Sequence, residues 1–190
     1  MNKLIPTGKE VIIYKGSLFE IVRKTFKIRN KEVVFEIARR PPGTRLIIIK
    51  NKKMLLSKEF RVELNDYDYR LPGGKVFNTL EEYKNALSNK DILPFAIKAA
   101  KKECSEEVGI IANDLRHFQT AKAGANVEWD LFYFIVDNFK KSKKQKLETG
   151  EVIYPKWKNF KEVKEMCLNN KIKEDRTVGV LLKFLLSKEK

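Results

Sequence analysis

Histidine is almost missing from this chain: of its 190 residues only one is histidine, His117. Beside Arg116 it reads as a surface or strand residue, not as a catalyst. Cysteine is nearly as scarce. Cys104 and Cys167 fall in helical patterns and read as reduced thiols packed in a core. No apolar run approaches the roughly 20 residues needed to span a bilayer. Met1 to Pro6 has no apolar centre of the signal-peptide kind. A cytoplasmic protein with no membrane partner is the expectation. Acidic residues are in deficit, 25 against 40 Lys and Arg, for a formal charge of +15. Such an excess attracts anionic polyphosphates and invites a nucleic-acid reading. Only nine of the basic residues are arginine, however, and the lysines are scattered. The densest run, Lys140-Lys141-Ser142-Lys143-Lys144-Gln145-Lys146, reads as a solvated loop between two strands, so nucleic acid is not the favoured partner.

With 43% hydrophobic and 11% aromatic residues, the chain reads as globular, with enough length for one sizeable domain or one plus an accessory piece. Short apolar runs at 11–14, 18–22 and 33–38, separated by Gly16 and Arg29-Asn30-Lys31, predict an antiparallel meander that must pack on something to bury both faces. Arg39-Arg40-Pro41-Pro42-Gly43 breaks it with a stiff turn. Thr44 to Lys50 and Lys53 to Ser57 predict a hairpin around Asn51-Lys52. Glu128 to Val136 predicts a buried strand, and 160–168 and 175–186 predict amphipathic helices, the second with Asp175 as N-cap.

The most informative stretch is Arg70-Leu71-Pro72-Gly73-Gly74-Lys75, followed after a polar interval by Ala99 to Ile110. At about 100° per residue, Glu103, Glu106 and Glu107 share one helix face, beside an apolar stripe of Ile97, Ala100, Cys104 and Val108. Gly109 suits the left-handed residue that ends a helix. Like charges four apart cost a helix a few tenths of a kcal/mol. A hard divalent cation removes that cost, because Mg²⁺ prefers carboxylate oxygens and keeps positions for water and phosphate.

This pattern resembles the Nudix box, G-x5-E-x7-R-E-U-x-E-E-x-G-U with U apolar, of the Nudix hydrolases. Gly74 matches the opening glycine, and Glu103-Cys104-Ser105-Glu106-Glu107-Val108-Gly109-Ile110 matches the end. Three positions depart. Lys102 replaces the family's Arg. Gly74 and Lys102 lie 28 positions apart, not 14, so about fourteen residues are inserted. Pro94 stands where the family's Glu precedes the Arg by eight. In the family that Glu and Arg orient the loop, while the E-x-x-E-E group binds metal. Glu81, Glu82 and Asp91, in the insertion, are candidates to replace the missing carboxylate. The resemblance narrows to the ADP-ribose pyrophosphatase and nucleotide-sugar branch: an N-terminal meander, an R-x-P-G-type turn at Arg39 to Gly43, and Glu59-Phe60-Arg61 where relatives have Gln-aromatic-Arg.

The resemblance implies an α+β fold, a Nudix-type α/β/α sandwich with a mixed sheet. It comprises residues 43–190, with an insertion at about 77–94, preceded by a meander at 1–42 that serves dimerisation. It implies Mg²⁺, or Mn²⁺, held by Glu103, Glu106, Glu107 and the Gly73 carbonyl. Catalysis would involve Glu107 and a loop glutamate, Glu148 before Glu151. Arg39, Arg40, Arg61, Arg70, Lys75, Glu128 and Trp129 would meet the substrate, arginine favouring phosphate through its bidentate fork. The expected reaction is cleavage of the pyrophosphate of a nucleoside diphosphate derivative, with ADP-ribose or another nucleotide sugar leading, by a homodimer. Two alternatives stay open: a degenerate domain that binds nucleotide or RNA without cleaving it, and a hydrolase of capped RNA or dinucleoside polyphosphates.

Overall fold

Strand β4 (Gly43–Lys50) has six of its eight residues buried, so it must lie inside a sheet covered on both faces. A computed structural model, describing residues 3–88, 91–141 and 144–189, shows how. β4 pairs in parallel with β10 (Leu131–Val136) and antiparallel with β5 (Lys53–Arg61). β12 (Ile153–Asn159) and β8 (Arg116–Ala121) flank them, giving the order β12-β5-β4-β10-β8 in a mixed sheet, with β6 (Asp66–Arg70) on β5. Side chains alternate as a strand's period of two requires. Leu46, Ile48, Leu55, Phe134 and Val136 face α2 (Leu93–Val108), packing with its Ala96, Ala100 and Cys104. Ile47, Met54, Leu56, Leu131 and Tyr133 face the other way, onto α3 (Phe160–Leu168) and α4 (Asp175–Ser187). The result is three layers, helix on sheet on helices, as the sequence predicts. Both cysteines are free and buried, and burial pushes their thiols up, Cys104 to about 12 and Cys167 to about 11.

The N-terminal strands β1 (Ile5–Lys15), β2 (Glu20–Ile28) and β3 (Lys31–Arg39) form the expected meander. A later segment, β9 (Val127–Glu128), joins it in parallel with β3, so the sheet is not built from the N-terminal residues alone. This corrects the single strand expected from Glu128 to Val136. Arg39-Arg40-Pro41-Pro42 and Trp129-Asp130 turn the corner from one sheet to the other side by side, held by Arg40 N–H to the Glu128 carbonyl (3.1 Å) and Gly43 N–H to the Asp130 carbonyl (2.9 Å). A third, two-stranded sheet pairs β7 (Ile110–Ala112) with β11 (Phe139–Lys141). Ser142 and Lys143 of the basic run lie outside the described residues.

The feature that makes room for a site is a split beside β4. β5 pairs with it only from Ile48↔Leu55 to Lys50↔Lys53, then leaves to pair with β6 from Ser57↔Arg70 to Arg61↔Asp66. The glycine turn takes the vacated edge, with Leu46 N–H donating to the Pro72 carbonyl and Thr44 N–H to the Gly74 carbonyl, both 2.8 Å. The insertion folds as α1 (Leu80–Leu87), whose Thr79–Glu82 capping box fixes its start. It is tied to the meander by Leu80 N–H to the Ser17 carbonyl (2.9 Å) and by Lys84 on the fully buried Glu20 (2.6 Å). Pro94 lies in the first turn of α2, where its missing N–H costs nothing. One local expectation needs correction. Glu174, not Asp175, precedes the first residue of α4, and its side chain makes no cap bond there. Among the described residues no helix is long and apolar enough to cross a membrane.

Phe184 is fully buried on α4, edge-on to Phe118 (5.8 Å) and Phe160 (6.0 Å). Phe184→Ala is expected to lower stability by about 3–4 kcal/mol in urea unfolding. Leu186→Ala, at a side chain 51% exposed, should stay within about 0.5 kcal/mol of the parent.

Candidate active site

The glycine turn owes its sequence to crowding. At Gly73, φ is +144°, and a Cβ there would stand 2.2 Å from the Thr44 carbonyl oxygen; at Gly74 it would stand 2.2 Å from the Glu103 carboxyl. The turn is therefore pressed between β4 and the acidic face of α2. Glu107, only 6% exposed, accepts the Gly73 N–H at 2.7 Å. β4 uses the carbonyls of Pro72 and Gly74, not that of Gly73.

Around this contact opens a cleft of about 970 Å³, at the upper end of the size of small-molecule and cofactor sites. It gathers most of the residues that the sequence nominates: Arg40, Arg61, Arg70, Gly73, Lys75, Glu103, Glu106, Glu107, Trp129, Glu148 and Glu151. Arg39 and Glu128 are not among its walls. Expected beside a substrate, they are instead engaged in ion pairs: Arg39 bonds Glu128, Glu10 and the buried Glu20, while Glu128 also takes Lys24. They form the ionic seam that joins β9 to the meander.

One side of the cleft is acidic. Burial pushes Glu107 up to about 8, against the Gly73 N–H, with Glu103 and Glu59 adding like charge. Burial likewise pushes Glu103 up to about 7; Lys102 opposes the rise, and Glu106, Glu151 and Glu148 add to it. Glu148 and Glu151 close a short turn, with Glu151 N–H on the Glu148 carbonyl (3.1 Å) and Glu148 N–H on Glu151 Oε2 (2.9 Å). Carboxylates held this short of positive charge suit a hard divalent cation, and an all-oxygen donor set suits Mg²⁺ or Mn²⁺. Among the described residues no three such side chains converge as a ready-made cluster. The reason lies in their present partners. Glu107 turns to Gly73, and Glu106 turns to Lys102 (3.0 Å). Lys102, in the place of the orienting Arg, thus pairs along its own helix. None of the insertion's acids replaces the missing partner: Glu82 caps α1, Asp91 accepts Leu93 N–H, and Glu81 is exposed.

The other side is basic. Arg61 is held by Glu59 (2.8 Å) and Glu63 (2.6 Å). Arg45 and Arg70 share Glu174, at 3.2 and 3.6 Å. Arg40 has no carboxylate partner among the described residues. Its guanidinium lies between the rings of Phe19 (4.8 Å) and Trp129 (4.3 Å), and Arg176 covers the Trp129 ring at 4.0 Å. Burial, then Arg45 and Arg176, push Arg40 below the usual arginine range. The Nε of Arg40, the Nε of Arg70 (3.8 Å from Asp68) and the Trp129 indole nitrogen are buried donors without a hydrogen-bond partner among the described residues. With guanidiniums on its ring, Trp129 is a support for cations more than a free stacking surface.

Sequence reasoning missed Arg45, Glu174 and Arg176. Arg45 had a signal, a charge at the head of an otherwise apolar buried strand. Glu174 and Arg176 had none, because their roles come from α4 folding back across the sheet.

Comparison with known proteins supports the architecture. No protein-family model matches the chain, and no curated protein matches it in sequence. Solved structures do match in shape. One, described as an ADP compounds hydrolase, superposes with a TM-score of 0.72 at 18% identity, over 97% of this chain and 93% of that one. The chain has a Nudix-like fold.

Glu174 supplies a pH test. Burial alone would raise its pKa, but Arg45, the Thr177 hydroxyl and Arg70 together hold it at about 2. Its folded value is below its unfolded value of roughly 4.3, so its contribution is present above that pH and is lost as pH falls toward 2. Glu174→Gln is expected to cost about 2–4 kcal/mol at pH 7, with a gap to the parent that narrows at pH 3 in urea unfolding.

Proposed function

We propose that this chain is a Mg²⁺-dependent hydrolase that cleaves the pyrophosphate linkage of a nucleoside diphosphate derivative. ADP-ribose or another nucleotide sugar is the leading substrate, and the products are a nucleoside monophosphate and a sugar phosphate. The observation that carries this reading is one cleft that gathers the buried Glu107 and half-buried Glu103 and Glu106 with four arginines, Arg40, Arg45, Arg61 and Arg70, of which Arg40 has no carboxylate partner among the described residues. The description of the shape relative as an ADP compounds hydrolase agrees with it.

In this reading Glu103, Glu106 and Glu107, with the Gly73 carbonyl, hold Mg²⁺, and Mn²⁺ fits the same oxygens. The cation, when bound, supplies charge neutralisation on the diphosphate and makes water a better nucleophile. Glu148, or Glu151 beside it, takes the proton from the attacking water. Arg40, Arg61, Arg70 and Lys75, with Arg45, grip the phosphates and offset the charge that grows on the leaving oxygen. α1 and Phe77 wall the cleft on the side of the insertion and bound what lies beyond the diphosphate.

A second reading, binding of nucleotide without cleavage, is favoured by the Lys102–Glu106 pairing (3.0 Å) that stands in place of the family's orienting pair. A mass-spectrometric screen of nucleotide substrates with Mg²⁺ decides between them. The parent is expected to release AMP and ribose 5-phosphate from ADP-ribose, and Glu107→Gln to lose ~10²-fold or more of turnover. The variant should keep its fold, since glutamine still accepts the Gly73 N–H. No product from any substrate, with tight salt-sensitive binding, selects the second reading.

We also propose that the accessory sheet pairs two copies of the chain. β1 is an edge strand and exposes Val11, Ile12, Ile13 and Tyr14, 43–60% each, an arrangement that templates association. Sedimentation should show a dimer that Ile12→Lys with Tyr14→Lys converts to monomer.

A further inference from the structure

A helix leaves its last carbonyls without partners of its own. At the end of α2 Gly109 supplies one donor, and the chain beyond β11 returns to supply two more. The Ser105 carbonyl accepts from Gly109 N–H (3.2 Å), the Glu106 carbonyl from Lys146 N–H (2.9 Å), and the Glu107 carbonyl from Gln145 Nε2 (2.5 Å). The same Gln145 nitrogen lies 3.4 Å from the carbonyl of Ile153, the first residue of β12. One side-chain amide carries two N–H donors, and here they reach two carbonyls on different elements. Between Gln145 and Ile153 lies the turn bearing Glu148 and Glu151, closed by its own two hydrogen bonds and lining the cleft.

We propose that Gln145 is a positioning residue: its amide clips the base of the Glu148–Glu151 turn to the end of the glutamate helix and so fixes that turn over the cleft. The catalytic use of those acids rests on the hydrolase reading; the clip does not. A side chain at 145 must reach both carbonyls and must donate. Methionine has the length without the donor, and lysine has donors on a longer stem. Lys146, through its main chain, secures the turn on one side only, so it cannot replace the link to Ile153.

The test compares the parent with Gln145→Met and Gln145→Lys by amide hydrogen exchange and by steady-state kinetics with Mg²⁺. Gln145→Met is expected to speed exchange at residues 148–153 roughly tenfold while leaving α2, α3 and α4 protected. It should lower kcat by about tenfold, with KM changed less than about twofold. Gln145→Lys should restore most of both. Parent-like exchange at 148–153 in Gln145→Met overturns the proposal, and so does faster exchange spread over the whole protein with kcat and KM shifting together. If the parent cleaves no substrate, the hydrolase reading has failed, and the exchange pattern alone decides the clip: confined acceleration supports it, and unchanged exchange overturns it.

Discussion

Burying a carboxylate costs several kcal/mol unless hydrogen bonds or positive charge face it, and Glu107 has one hydrogen bond, from the Gly73 N–H at 2.7 Å, with Arg45 the positive charge that acts on it. Much of the architecture depends on keeping that contact. Gly73 must be glycine because β4 leaves no space for a Cβ, and a Cβ at Gly74 would push the Glu103 carboxyl aside. The glycine turn holds its place by hydrogen bonding β4, and it can do so only because β5 has left for β6. A continuous sheet would have satisfied β4 and closed the cleft.

The cleft sets two unbalanced charge systems across from each other. On the acidic wall, burial and mutual repulsion raise Glu103 and Glu107 well above ordinary carboxylates. On the basic wall, Arg40 sits between rings without an acid, and Arg45 and Arg70 share one glutamate. Arg45 offsets the Glu107 charge only in part, since most of its contacts go to Glu174 and the Thr44 carbonyl. A diphosphate bound through a divalent cation would complete both at once, and for this reason the hydrolase is the proposed function.

Much of the fold was legible because it depends on local pattern. The apolar runs of β4 and β10, the turn at Asn51-Lys52 with both residues left-handed, and the stripe of Ala100 and Cys104 on α2 each arise from a few neighbouring residues. The glutamate face and the glycine turn were legible for the same reason. What escaped depends on distant partners. Glu128 and Trp129 read as one strand with Leu131 to Val136, yet the chain changes sheets there because β3 and β4 change sheets beside it. Arg39 matched a family pattern, but three glutamates from β1, β2 and β9 claim it. Glu174 drew no attention, although it holds two arginines of the cleft.

The central claim is that the face of Glu103, Glu106 and Glu107 holds a divalent cation, and direct binding tests it without reference to any substrate. Mn²⁺ binding monitored by electron paramagnetic resonance, with Mg²⁺ as competitor, should show saturable sites in the parent, and Glu103→Gln should weaken them by roughly tenfold or more. Equal binding by the parent and Glu103→Gln, or none by the folded parent, contradicts the account.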